Sequence, residues 1–124
     1  MKAIHTSNAP AAIGPYSQAI EVNGFIFASG QIPIDPETGK LVSGGIREQT
    51  RQALTNAGNI LKEAGTSLNR VVKTTVYLDS MDDFSAMNEV YAGFFTDPFP
   101  ARSAVAVKKL PMGALVEVEV LAEK

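Results

Sequence analysis

The 124-residue chain has no cysteine, no tryptophan and a single histidine, His5. Without cysteine there can be no disulfide, no thiolate nucleophile and no thiolate metal ligand, and such a chain suits a reducing compartment. One histidine leaves a serine nucleophile a single candidate base and leaves a His-rich metal site nothing to build on. An excess of positive charge is missing too. Eleven Lys and Arg stand against 13 Asp and Glu, for a net charge of -2 and a pI near 5.3. No global field draws in a polyanion, which argues against nucleic acid as a partner. No segment approaches the ~18 apolar residues of a membrane span, and "MKAIHTSNAPAAIGPYSQ" has no continuous apolar leader core. The expectation is a soluble, cytoplasmic protein with no membrane partner. Dinucleotide and phosphate-loop glycine patterns are absent, as are repeats and linkers, so residues 1–124 read as one domain.

What is present is 45% hydrophobic residues, enough for a single core at a length that buries roughly two-thirds of the unfolded surface. A short strand is expected around 3–6. Asn23-Gly24 suits a type I′ turn and predicts a hairpin of 17–22 with 25–29. The proline- and glycine-rich stretch 31–45 reads as a long loop. Ile46, Ala53, Leu54, Ala57, Ile60, Leu61 and Ala64 recur at helical spacing, with Gly65 as the stop. "RVVKTTVYL" (70–78) reads as a strand. Ser80 or Asp82 can cap a second helix with the stripe Phe84, Met87, Tyr91, Phe94 and Phe95. Strands near 101–107 and 114–121 complete a β-ββ-α-β-α-ββ order, an α+β fold with two helices on one face of a sheet.

Strand parity then assigns faces. Val116, Val118 and Val120 belong under the helices, leaving Glu117 and Glu119 on the other side. In "PARSAVAV" (100–107), bulk favours packing Ser103, Val105 and Val107 under the helices, so Arg102, Ala104 and Ala106 are expected on the open face beside Glu117. A planar bidentate donor flanked only by alanines suits a ligand carboxylate. The same pattern also fits a purely structural ion pair, and Glu119 shares the parity of Glu117. A mixed, uncovered sheet face predicts a homo-oligomer. The reading requires Arg102 and Glu117 on one face of the sheet. Taken alone, Tyr16 in "GPYSQ" fits a packing aromatic after a Gly-Pro turn, Ser29 and Gly30 in "ASGQIP" a strand end with a backbone constraint, and Asn88 in the second helix a surface or capping-type hydrogen bond.

Together, "GPYSQA" (14–19), "FASGQIP" (27–33), "FSAMNEVYAGFF" (84–95) and "PARSAVAVKKLPMGALVEVEVLA" (100–122) resemble the RidA/YjgF/YER057c/UK114 family of reactive-intermediate deaminases, also labelled endoribonuclease L-PSP. The resemblance spans essentially the whole chain. It implies a chorismate-mutase-like fold, a homotrimer with clefts at subunit interfaces, and hydrolytic deamination of 2-imino acids such as 2-iminobutanoate and 2-iminopropanoate to 2-oxo acids, with no metal or cofactor. It assigns the substrate carboxylate to Arg102 and the handling of water to Glu117, with Tyr16, Ser29, Gly30 and Asn88 lining the site. Many members carry cysteine where this chain has Ala104, so only a backbone role carries over to that position. The family labels also imply two alternatives: an endoribonuclease or translation inhibitor, and a non-enzymatic regulator that binds 2-oxo acids.

Overall fold

A computed structural model describes all 124 residues. The strands are β1 (Lys2–Ile4), β2 (Ala19–Val22), β3 (Phe25–Ala28), β4 (Ile34–Asp35), β5 (Lys40–Leu41), β6 (Val71–Leu78), β7 (Ala101–Ala106) and β8 (Val116–Glu123). The helices are α1 (Ile46–Glu63) and α2 (Phe84–Ala92). Asn23 and Gly24 both take positive φ, 52° and 79°, which twists the β2–β3 turn to match its strands. The helix α1 starts where Glu48 reaches back to accept from the Gly45 N–H at 2.8 Å. It ends at Gly65, whose φ of 86° a side chain would oppose. Ser80, not Asp82, provides the cap ahead of α2. Its Oγ accepts from the Asp82 N–H at 3.1 Å, over a short 3-10 turn that leads into the helix. No helix is long and apolar enough to cross a membrane.

The stretch expected to be only a loop contains the β4–β5 hairpin. The Asp35 carboxylate accepts from the Glu37 N–H at 2.9 Å and closes its turn. A two-residue ladder is too short for alternation to reveal it.

Six strands form one sheet in the order β1-β2-β3-β8-β6-β7, antiparallel throughout except that β7 runs parallel to β6. The parallel pair needs a crossover, which α2 supplies. One face meets the helices. Ile26, Val76, Leu78, Val116 and Val118 from the sheet, with Leu54, Ile60, Leu61 and Met87 from the helices, are wholly excluded from solvent. Fully burying side chains of this size is worth roughly 1.5–3 kcal/mol each, so this layer dominates stability. The valine face of β8 packs as expected. The opposite face leaves Phe25, Phe27 and Val105 39%, 49% and 46% exposed, amid Lys73, Glu117 and Glu119.

Strand β7 overturns the bulk-based assignment of its faces. Arg102, Ala104 and Ala106 pair with Thr74, Val76 and Leu78, all buried on the helix side. Ser103 and Val105 pair with Thr75 and Tyr77 and are exposed on the open face. Phe84 and Tyr91 of α2 already occupy the space above this edge. What fits beneath them is alanine and a flat guanidinium, not a row of valines.

Candidate functional site

The seat of Arg102 explains an arginine at the head of an apolar strand. Its guanidinium carbon lies 4.8 Å from the centroid of the Tyr91 ring and 5.6 Å from that of Phe84. Its Nη1 donates to the Asn88 side-chain oxygen at 2.6 Å. Residues 84, 88 and 91 fall on one stripe of α2, so a single helix supplies two ring faces and an acceptor. No carboxylate neutralises the cation, since none of the three ion pairs of the chain includes Arg102. A cleft of about 390 Å³, lined by Asn88, Tyr91, Ala92, Phe99, Pro100 and Arg102, opens beside it. The guanidinium has five N–H donors, and those facing this space suit a bidentate carboxylate.

Ala104 lies two residues along the same strand, half-buried against the core. Val107 donates to Leu78 O at 2.9 Å. By strand alternation, the backbone groups of Ser103 and Val105 therefore face β6, and those of Arg102 and Ala104 point out of the sheet edge. The side chain of Ala104 contributes packing, while its N–H and C=O are available to a neighbour.

Glu117 occupies the other face, level with Tyr77 of β6. Beyond Ala28 the β3 ladder breaks. Phe27 pairs with Leu121, yet Gln31 pairs with Val118, so one extra residue is accommodated around Ser29-Gly30. Ser29 is fixed there by its N–H to Gln18 O at 2.9 Å and its Oγ to Ser17 O at 2.6 Å. Gly30 is where Glu117 needs room, because a Cβ at this position would collide with the Glu117 carboxylate. Partial burial, reinforced by the Glu119 charge, pushes the Glu117 carboxyl above its ordinary value. A second cleft of about 210 Å³ includes Tyr16, Gly30, Gln31, Ile32 and Met112 in its lining. Tyr16 is exposed, and its hydroxyl accepts from the Ile13 N–H at 3.4 Å.

The expected residues thus gather into two groups and not one. Arg102, Asn88 and Ala104 form a cationic half at the β7 edge; Glu117, Gly30, Ser29 and Tyr16 form an acidic half around the β3 break. The expectation that Arg102 and Glu117 share a sheet face is wrong, because the parallel register of β7 puts the arginine on the helix side. No single protomer brings them together across its own sheet. Phe84, Tyr91 and Thr74 support the arginine and were read from sequence as core or strand residues. Asn88, a polar side chain on the otherwise apolar stripe of α2, was the available signal. No three His, Asp or Glu side chains converge as metal ligands would.

The six-stranded α+β sheet thus carries an arginine with no carboxylate partner on one face and a part-buried glutamate, its carboxyl raised above the ordinary value, on the other. Residues 6–124 match the family model described as Endoribonuclease L-PSP. The chain is 57% identical over 121 residues to a RutC family protein of Pyrococcus horikoshii, covering 98% of this chain and 96% of that protein. It is 53% identical to the 2-iminobutanoate/2-iminopropanoate deaminase of Mus musculus, over 98% of this chain and 90% of that one. The crystal structure of E. coli TdcF with bound serine superposes with a TM-score of 0.94 at 38% identity, over 100% of this chain and 99% of that one. The chain belongs to the RidA/YjgF family, the Endoribonuclease L-PSP family of the matching model.

Proposed function

We propose that this chain hydrolyses 2-imino acids, such as 2-iminobutanoate and 2-iminopropanoate, to 2-oxo acids and ammonia, in clefts completed where protomers meet in a homotrimer. The observation that carries the reading is the guanidinium of Arg102, held by Asn88 and the α2 rings yet unpaired with any carboxylate of its own chain. Relatives bearing the deaminase name at 51–54% identity support the same activity. The small-molecule reading draws further support from the serine bound by TdcF.

Arg102 binds the substrate carboxylate bidentately and fixes which face of the imine carbon is presented. Glu117 of a second protomer accepts a proton from water as the new C–O bond forms, the C=N electron pair moves to nitrogen, and the carboxyl hands its proton to that nitrogen. In the resulting carbinolamine the carboxylate, free again, takes the hydroxyl proton and passes it to the nitrogen as C=O forms and the C–N bond breaks. The nitrogen leaves as ammonia. Atoms balance as imine plus water to oxo acid plus ammonia, with no redox change. A carboxyl raised above its ordinary value is a better base for this step than an ordinary one, and a positioned base typically contributes about 10²- to 10⁴-fold. Tyr16, Ser29, Gly30, Asn88 and the Ala104 backbone complete the shell around the reacting atoms.

Coupling a threonine dehydratase to the protein and following imine decay tests the reading. Arg102→Ala removes the acceleration while leaving the assembly intact; undiminished turnover in that variant would falsify the assignment. The acidic pI and the scattered basic residues weigh against the endoribonuclease alternative. Affinity for 2-oxobutanoate without any imine turnover would instead favour a regulator.

A further inference from the structure

The buried face of α2 does more than fill the core. Tyr91 is almost wholly buried, and its hydroxyl pairs at 2.7 Å with Oγ1 of Thr74, which is fully excluded from solvent. Its ring also packs on Phe95, with centroids 4.6 Å apart. Thr74 is the register partner of Arg102 on the neighbouring strand. The hydroxyl is thereby tied to β6, the strand that pairs with the β7 strand carrying Arg102, and the ring face is presented to the guanidinium at 4.8 Å. With its hydroxyl turned to Thr74 in the core, what Tyr91 offers the cleft is the π-face beneath the cation.

We infer that Tyr91 is a positioning residue: locked by Thr74, its ring holds the Arg102 guanidinium in the orientation that receives a carboxylate. The inference rests on the proposed role of Arg102 and adds a second residue through which that role acts. A free arginine side chain carries substantial rotamer entropy, and binding must remove it unless the protein has already done so. The Tyr91 face and the Asn88 acceptor remove it in advance. Weakening the ring's attraction should therefore weaken carboxylate binding and leave the water-activating chemistry of Glu117 unaltered.

The test replaces Tyr91 by residues of nearly constant shape and declining ring charge: Tyr91→Phe, then Tyr91→fluorinated phenylalanines. Binding of 2-oxobutanoate is measured by calorimetry and imine turnover by KM and kcat. Tyr91→Phe keeps the ring but removes its tie to Thr74 and should weaken binding by a few-fold, whereas the most fluorinated ring should weaken it by roughly tenfold relative to Tyr91→Phe. KM should rise in step while kcat holds. Tyr91→Leu, with its unfolding midpoint recorded alongside, reports removal of the ring altogether. Binding that is unchanged across the fluorinated series overturns the inference, as does a fall in kcat at constant KM. Arg102→Ala serves as the control that separates the two readings. If it binds 2-oxobutanoate normally, the carboxylate role of Arg102 fails. If it loses binding while the fluorinated series does not, only the role of Tyr91 fails.

Discussion

Because Arg102 and Glu117 lie on opposite faces of one sheet, each proposed cleft must draw one of them from each of two protomers, and mixing variants tests this directly. Arg102→Ala and Glu117→Gln proteins, each inactive alone, are combined in equal amounts, unfolded and reassembled together. A cleft is intact only when its arginine comes from a Glu117→Gln chain and its glutamate from an Arg102→Ala chain, which random assembly in a closed ring satisfies at about one cleft in four. The mixture should recover about a quarter of native imine-deaminating activity from parents whose own rates are about 10² to 10⁴ lower. The reciprocal experiment mixes native chains with the double variant, where a cross-protomer site again leaves about a quarter and a site within one protomer leaves about half. A reassembled mixture no more active than the sum of its parents, with exchange confirmed by mass spectrometry, would refute the two-protomer site.

Gly30→Ala should fold normally, since this glycine is not at a positive φ, but its methyl group displaces the Glu117 carboxylate; turnover should fall about 10²-fold with 2-oxobutanoate affinity largely kept, and near-native turnover would show that Glu117 can work from elsewhere. Glu117 has a folded-state pKa above its unfolded one, so the protein loses stability as pH rises from below the ordinary value of 4.5 through the raised one. Glu117→Gln should accordingly raise the unfolding midpoint at pH 7 and give no gain near pH 4, and equal gains at both pH values would contradict the shift. Glu48 is the opposite case: the Gly45 N–H holds its carboxyl below the ordinary value, so its contribution is present above the unfolded pKa and lost as pH falls through the folded one. Glu48→Gln should flatten the acid limb of a midpoint-versus-pH curve, and an unchanged limb would remove the Glu48–Gly45 contact from the account.

Much of the architecture was legible because it rests on local signals. The Asn23-Gly24 turn, the period of α1 and the valine alternation of β8 each appear in the structure where the residues indicated, whereas Ser80 caps the 3-10 turn Met81–Asp83 and not α2 itself, whose N-cap residue Asp83 makes no side-chain cap. The Arg102 face was not legible, because parity alone offers two answers and bulk chose the wrong one. Only the parallel pairing to Thr74, Val76 and Leu78 decides it, and that pairing is fixed by the α2 crossover and not by any residue within 101–107. The break at Ser29-Gly30 was visible as a backbone constraint. Its purpose depends on Glu117, nearly ninety residues away in the chain, and local reading has no access to that pairing.

The arginine-bearing strand is also the outermost one, stitched to the sheet along a single side. Backbone amides there should exchange with solvent sooner than those of the central β8, and the neighbouring subunits of the proposed trimer would be what slows them. Dilution that separates such subunits should then loosen the edge carrying Arg102 well before the rest of the molecule melts, making activity per chain fall with concentration while the far-ultraviolet signal of the fold stays constant.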